Sequence, residues 1–135
     1  MWPFSRKKVE AITVVHGGIT ATYDPSFRRW TFSSGGLDYA IYGRRLDTET
    51  FARIGPVPGM LTALQPEIDA RIAGHPAMAG VAWNGEKHAD PIDVTALPTV
   101  GRIEVTYAND DAWGYLWFTV VIAEGKISDC YATAD

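Results

Sequence analysis

The sequence predicts an α+β fold: an antiparallel, twisted β-sheet built from two meander halves, with one or two helices packed on one face. Three observations carry this. Short runs rich in β-branched and aromatic residues recur between Gly, Pro, Asn and Asp turns near both ends of the chain. Between them, from residue 47 to residue 73, apolar residues return at helical spacing. Residues 101–132 then join an alternating strand, an acidic turn, a long aromatic strand, a Glu-Gly turn and a last short strand. Strands grouped apart from helices are the mark of α+β rather than α/β architecture.

In chain order, residues 9–15 are expected as the first strand and His16-Gly17-Gly18 as its turn, since Gly accepts positive φ. Residues 19–23 form a second strand with Ile19, Ala21 and Tyr23 on one face. Asp24-Pro25-Ser26 turns the chain into a third strand, 27–33. Ser34-Gly35-Gly36 leads to a fourth, 37–42, with Leu37, Tyr39 and Ile41 opposite Asp38, Ala40 and Tyr42. Asp47 or Thr48 caps a short helix through residue 54, with Glu49 near its start. The run Gly55-Pro56-Val57-Pro58-Gly59 breaks it. Leu61, Leu64, Ile68 and Ile72 mark an amphipathic helix over 59–73, which Pro66 is expected to kink or divide. Gly74-His75-Pro76 ends it.

Strands return at 78–83 and at 90–94, where Pro91 points to a sheet edge. Residues 102–107 alternate, with Ile103, Val105 and Tyr107 facing the core. Their partner, 113–122, is apolar on both faces; Trp113, Tyr115 and Trp117 are expected on one side, covered by loops, a ligand or a partner.

A chain of 135 residues has room for one real core, so residues 9–135 are expected as a single α+β domain behind a flexible tail, 1–8. Hydrophobic residues at 47% and charged residues at 21% exclude a disordered chain. The net charge of −4 argues against nucleic-acid binding, which needs a basic patch. Cys130 is the only cysteine, which removes any internal disulfide framework and suits a reducing, cytoplasmic setting. No apolar run is long enough to span a bilayer, and the N-terminus, with basic residues after its aromatics, does not read as a secretory signal. Trp2 and Phe4 beside Arg6, Lys7 and Lys8 give the tail a means of touching an anionic membrane surface.

Candidate sites are few. Glu86, His88 and Asp90 alternate, so on an extended strand they would share a face and offer a carboxylate–imidazole–carboxylate set to a divalent metal. Flanked by Asn84-Gly85 and Pro91, they read first as a solvated loop. Asn109-Asp110-Asp111 reads as a hairpin turn that can also bind Ca²⁺ or meet a basic partner. Trp113, Tyr115 and Trp117 combine core character with that of interface anchors, and Trp30, Tyr39 and Tyr42 do so in the first sheet half. Arg28-Arg29 and Arg44-Arg45 can meet phosphate or carboxylate, but neighbours on a strand point oppositely and make no clamp outside a turn. His16, His75 and His88 are dispersed. No nucleophile elbow and no P-loop-type phosphate cradle is present, so neither catalytic residues nor a cofactor are expected.

Residues 23–43, YDPSFRRWTFSSGGLDYAIYG, and residues 101–132 resemble small bacterial domains of unknown function in which a Trp-bearing hairpin, a helical segment and a C-terminal hairpin with an acidic turn and Trp-Gly recur in that order. Those domains resemble cytosolic immunity proteins of contact-dependent or polymorphic toxin systems. The resemblance implies an α+β binding protein that blocks one cognate toxin, and it brings no catalytic residue. Where many such hairpins carry histidine after Trp-Gly, this chain has Tyr115, which weakens a ligand role there. The expected function is therefore a non-enzymatic cytoplasmic binding protein with a protein partner, met through Asp110, Asp111, Trp113, Tyr115 and Trp117. The alternative is a small-ligand-binding protein, or a metal-assisted enzyme using Glu86, His88 and Asp90, with its pocket between helix and sheet.

Overall fold

A computed structural model of the protein describes residues 12–134. The expected tail, its membrane-facing cluster and the first part of strand 9–15 lie outside the described residues.

The fold is α+β. The strands are β1 (Thr13–His16), β2 (Ile19–Asp24), β3 (Arg29–Ser34), β4 (Leu37–Tyr42), β5 (His88–Ala89), β6 (Ile92–Asp93), β7 (Arg102–Ala108), β8 (Leu116–Ala123) and β9 (Lys126–Ala134). The helices are α1 (Glu49–Arg53), α2 (Val57–Ala73), α3 (Leu97–Val100) and α4 (Asp110–Trp113), with a 3₁₀ turn at Pro76–Met78. The strands form one sheet in the order β1-β2-β3-β4-β6-β7-β8-β9, and β5 pairs with β7 beside it. The expected halves are both present: β1–β4 is one antiparallel meander and β7–β9 another. The short β6 splices them, parallel to β4 and antiparallel to β7.

Strand register sorts the side chains into two faces, because neighbours along a strand point oppositely. Trp30 lies opposite Ile41, Phe32 opposite Tyr39, Tyr39 beside Ile92, and Ile103, Val105 and Tyr107 opposite Ile122, Val120 and Phe118. All of these are buried in one cluster with Val57, Leu61, Ile68 and Ile72 of α2. Phe51 of α1 meets Phe32 edge-on at 4.9 Å, and Trp113 of α4 meets Phe118 at 5.1 Å. The helices therefore cover this face. The other face carries, across the sheet, the row Thr13, Thr22, Thr31, Ala40, Asp93, Glu104, Val121 and Asp129. Its polar, β-branched composition suits a face turned to water.

Four expectations are corrected. Residues 90–94 do not form an edge: β6 is internal to the strand order, and Pro91 stands just before it, where its missing N–H costs no ladder bond. Residues 78–83 are not a strand. The 3₁₀ turn closes through Ala79 N to the Pro76 carbonyl at 3.1 Å, and Gly80 at φ 76° turns the chain away before any partner is met. The helix expected over 59–73 starts two residues earlier, at Val57, with Pro58 tolerated in its first turn. It is also one piece through Pro66. Pro66 forfeits the backbone bond to the Thr62 carbonyl, yet Leu61 before it and Ile68 after it are both buried in the same cluster, and that burial holds the helix together.

The fourth correction concerns the aromatic trio. Neither Trp113 nor Tyr115 lies on the strand with Trp117. Asn109 caps a helical turn, its Oδ1 accepting from Ala112 N at 3.0 Å, and Trp113 ends that turn. Gly114, at φ 61° and ψ −124°, then takes a conformation suited to glycine, that of the first central residue of a type II′ turn. β8 begins only at Leu116, so the three aromatics go three ways. Trp113 is 6% exposed in the core, Tyr115 is 79% exposed, and Trp117 is half-buried on the uncovered face, opposite Ala108 and Thr133.

Candidate functional site

The acidic turn and the loop before β5 make one rigid unit. The Glu86 carbonyl accepts from Trp83 Nε1 at 2.6 Å and from Asn109 Nδ2 at 2.8 Å, which ties the loop to the head of α4. Asn84 Oδ1 accepts from Glu86 N at 3.0 Å and fixes the turn between them. Trp83 stacks edge-on against Trp113 at 5.2 Å. One residue on, Lys87 Nζ reaches Asp69 of α2 at 2.6 Å and lies 5.2 Å from the Tyr107 ring centre. The Lys87 side chain is only 10% exposed, so this pair anchors the loop to the helix rather than decorating the surface.

Between loop and turn lies an open cleft of about 570 Å³, lined by Trp83, Asn84, Glu86, Asn109, Asp111 and Ala112 among others. Asp110 and Asp111 occupy the first turn of α4 and are exposed, as is Tyr115 beyond Gly114. Of the residues expected to meet a partner, Asp110, Asp111 and Tyr115 are thus presented together at one end of the molecule. Trp113 supports them from below as core, and Trp117 belongs to another surface. The sequence reading missed Trp83 and Asn109 as the organisers of this end. Asn109 standing just before two acidic residues and an apolar pair is the signal that finds the cap.

Glu86, His88 and Asp90 do not converge. Glu86 lines the cleft, His88 pairs with Ala108 in the sheet, and Asp90 lines a separate hollow on the uncovered face. Among the described residues no group of three His, Cys, Asp or Glu side chains is arranged to hold a metal ion.

Further hollows lie among the described residues, and three bear on the site. One of about 290 Å³ lies between α2 and the sheet, lined by Leu37, Pro58, Leu61, Ile92 and Val105, with Thr62, Gln65 and Tyr107 supplying its polar groups. Gln65 Nε2 approaches Tyr107 Oη at 3.4 Å. Burial pushes the Tyr107 phenol above its ordinary range; the bond from Gln65 opposes this and the charge of Asp69 adds to it. A second hollow brings Arg28 and Arg44 together with Tyr23 at the end of the first meander, one arginine from each sequence pair. Arg28 sits in the turn before β3 at φ 52° and lines this hollow, while Arg29 lines the third. The third, of about 220 Å³, is on the uncovered sheet face. There Thr106 and Thr119 share a hydrogen bond of 2.9 Å across β7 and β8.

Cys130 of β9 is half-buried. Burial raises its thiol pKa first, Asp129 beside it adds to the rise, and Arg71 of α2 opposes it. A thiol held protonated is a poor nucleophile. No helix among the described residues is long and apolar enough to cross a membrane. Comparison with protein families, with curated proteins and with solved structures finds no match.

Proposed function

We propose that this chain is a non-enzymatic cytoplasmic binding protein, a toxin-neutralising immunity protein that acts by occluding a basic partner. The observation that carries this reading is the acidic end. Asp110, Asp111 and Tyr115 are exposed together on a turn that Asn109, Trp83 and the Glu86 carbonyl hold in place. Carboxylates on a fixed scaffold steer a basic surface toward the open cleft. An exposed tyrosine then supplies apolar area and a hydroxyl at low entropy cost. Affinity capture from the producing cell tests the reading, with wild type, the double variant Asp110→Lys/Asp111→Lys and the single variant Tyr115→Ala as baits. A basic protein retained by wild type at low salt and lost from the double variant supports it. Retention that is indifferent to the double variant, or no retained protein, refutes it.

The hollow between α2 and the sheet favours a second reading, a small-ligand-binding protein. Its apolar lining with a few polar groups is the usual composition of a ligand site. Displacement of a fluorescent apolar probe, compared between wild type and Leu61→Trp, tests this. Filling the hollow abolishes binding if the probe sits there, and unchanged binding refutes the reading.

A further inference from the structure

The hollow on the uncovered sheet face is lined by charges that do not neutralise one another. Asp93 of β6 and Glu104 of β7 are direct cross-strand partners on that face. Like charges in such a pair repel, with side-chain origins about 5 Å apart. Asp90 lines the same hollow, and so does one cation, Arg29 of β3. Among the described residues none of these four makes an ion pair. Arg29 donates through Nη1 to Tyr42 Oη at 3.2 Å and its guanidinium lies 4.7 Å from the Phe27 ring centre, but among the described residues its buried Nε has no hydrogen-bond partner. A guanidinium donor shut off from water without an acceptor is costly, and so is the opposed carboxylate pair. The two costs point to two halves of one ligand. An acceptor of negative charge answers Arg29, and a donor of positive charge answers Asp93 and Glu104.

Tyr131 of β9 stands across the hollow from Arg29, where its ring can line the stem of a basic ligand, while the Tyr42 ring lies 5.9 Å from the Arg29 guanidinium and helps to hold it. At about 220 Å³ the space lies below the range of drug-sized pockets, so its occupant is small. We propose that this hollow binds a free basic amino acid of the arginine or lysine type. The ligand's carboxylate meets Arg29, and its cationic groups meet Asp93, Glu104 and Asp90. Three carboxylates and one guanidinium on the protein mirror two cations and one carboxylate on the ligand. The site is on the face opposite the helices and shares no lining residue with the cleft at the acidic turn, so it does not rest on the partner reading above.

The test is titration of the full chain with L-arginine and with agmatine, which lacks the carboxylate, followed by backbone amide NMR. L-arginine gives saturable shifts on β4, β6, β7 and β9 with a dissociation constant of about 1 mM or tighter. Glu104→Gln weakens binding at least about tenfold. Agmatine binds wild type several-fold more weakly than arginine, and this gap closes in Arg29→Gln. No saturable shifts, shifts confined to residues 109–115, or full affinity in Glu104→Gln overturn the proposal. Should Glu104→Gln fail to fold, Asp93→Asn serves in its place with the same criteria.

Discussion

Replacing Trp113 tests whether the aromatic end of the hairpin is core or anchor. Its indole is 6% exposed and packs edge-on against Trp83 at 5.2 Å and Phe118 at 5.1 Å. An aromatic side chain of this kind buries about 150–250 Å², which at about 25 cal/mol per Å² amounts to about 4–6 kcal/mol. Against this, the buried indole N–H has no partner among the described residues. Truncation relieves that penalty, about 1–3 kcal/mol. Trp113→Ala is therefore expected to destabilise by about 3 kcal/mol, at the lower end for Trp truncations. Trp113→Phe keeps a ring in place and removes the orphaned N–H, so it costs less than half as much. Tyr115→Ala, on a residue 79% exposed, changes stability by less than about 0.5 kcal/mol. Equilibrium urea unfolding followed by far-UV circular dichroism measures all three, and avoids the change in indole fluorescence. The reasoning is wrong if Trp113→Ala costs less than about 1 kcal/mol, or if Trp113→Phe costs as much as Trp113→Ala. The latter would mean that the N–H has a partner worth keeping.

Two further outcomes are expected. Gly114→Ala costs about 1–3 kcal/mol in the same unfolding experiment although its Cβ meets nothing within 4 Å, because φ 61° with ψ −124° penalises any side chain; an unchanged midpoint rules out that backbone conformation. Cys130, with a folded pKa raised above 9.0, keeps its proton after the unfolded chain has released one, so its contribution to stability is fully present below that pH and is lost as pH rises through the folded pKa. Iodoacetamide at pH 8 accordingly alkylates the folded chain several-fold more slowly than the urea-unfolded chain, and equal rates refute it.

Where local pattern and tertiary context agree, the sequence is a good guide. β4 was legible to the residue, because Leu37, Tyr39 and Ile41 alternate with Asp38, Ala40 and Tyr42 between two glycine-bearing turns. β7 read as well, since Ile103, Val105 and Tyr107 all face one layer of helix. The strand after it was misread because an apolar alternation runs unbroken through Gly114. Periodicity records which residues are apolar and does not see the backbone reversal that sends Trp113 and Tyr115 apart. β6 is only two residues long and carries no periodicity at all, so its place at the centre of the sheet is set wholly by its neighbours. The acidic turn was visible as Asp110 and Asp111. The hollow under Arg29, Asp93 and Glu104 was not, because those residues come from three strands that only the register brings side by side.

The splice at β6 has a kinetic consequence. Each meander is built from contacts near in sequence, which form quickly. Among the described residues, the strand pairing that unites them is Tyr39 with Ile92, Ala40 with Asp93 and Asp93 with Glu104 in register, beside a bond from Tyr42 N to Thr95 Oγ1 and the packing of α2. Such a seam is the natural late step of folding and the natural first opening of the native state. In hydrogen exchange, the amides of β6 would then release ahead of those of β3 and β8. Asp93 lies on the seam itself, and the hollow spans it from Arg29 on one meander to Glu104 on the other. A molecule seated there acts as a clasp across the joint, and slows the parting of two halves that are otherwise each complete.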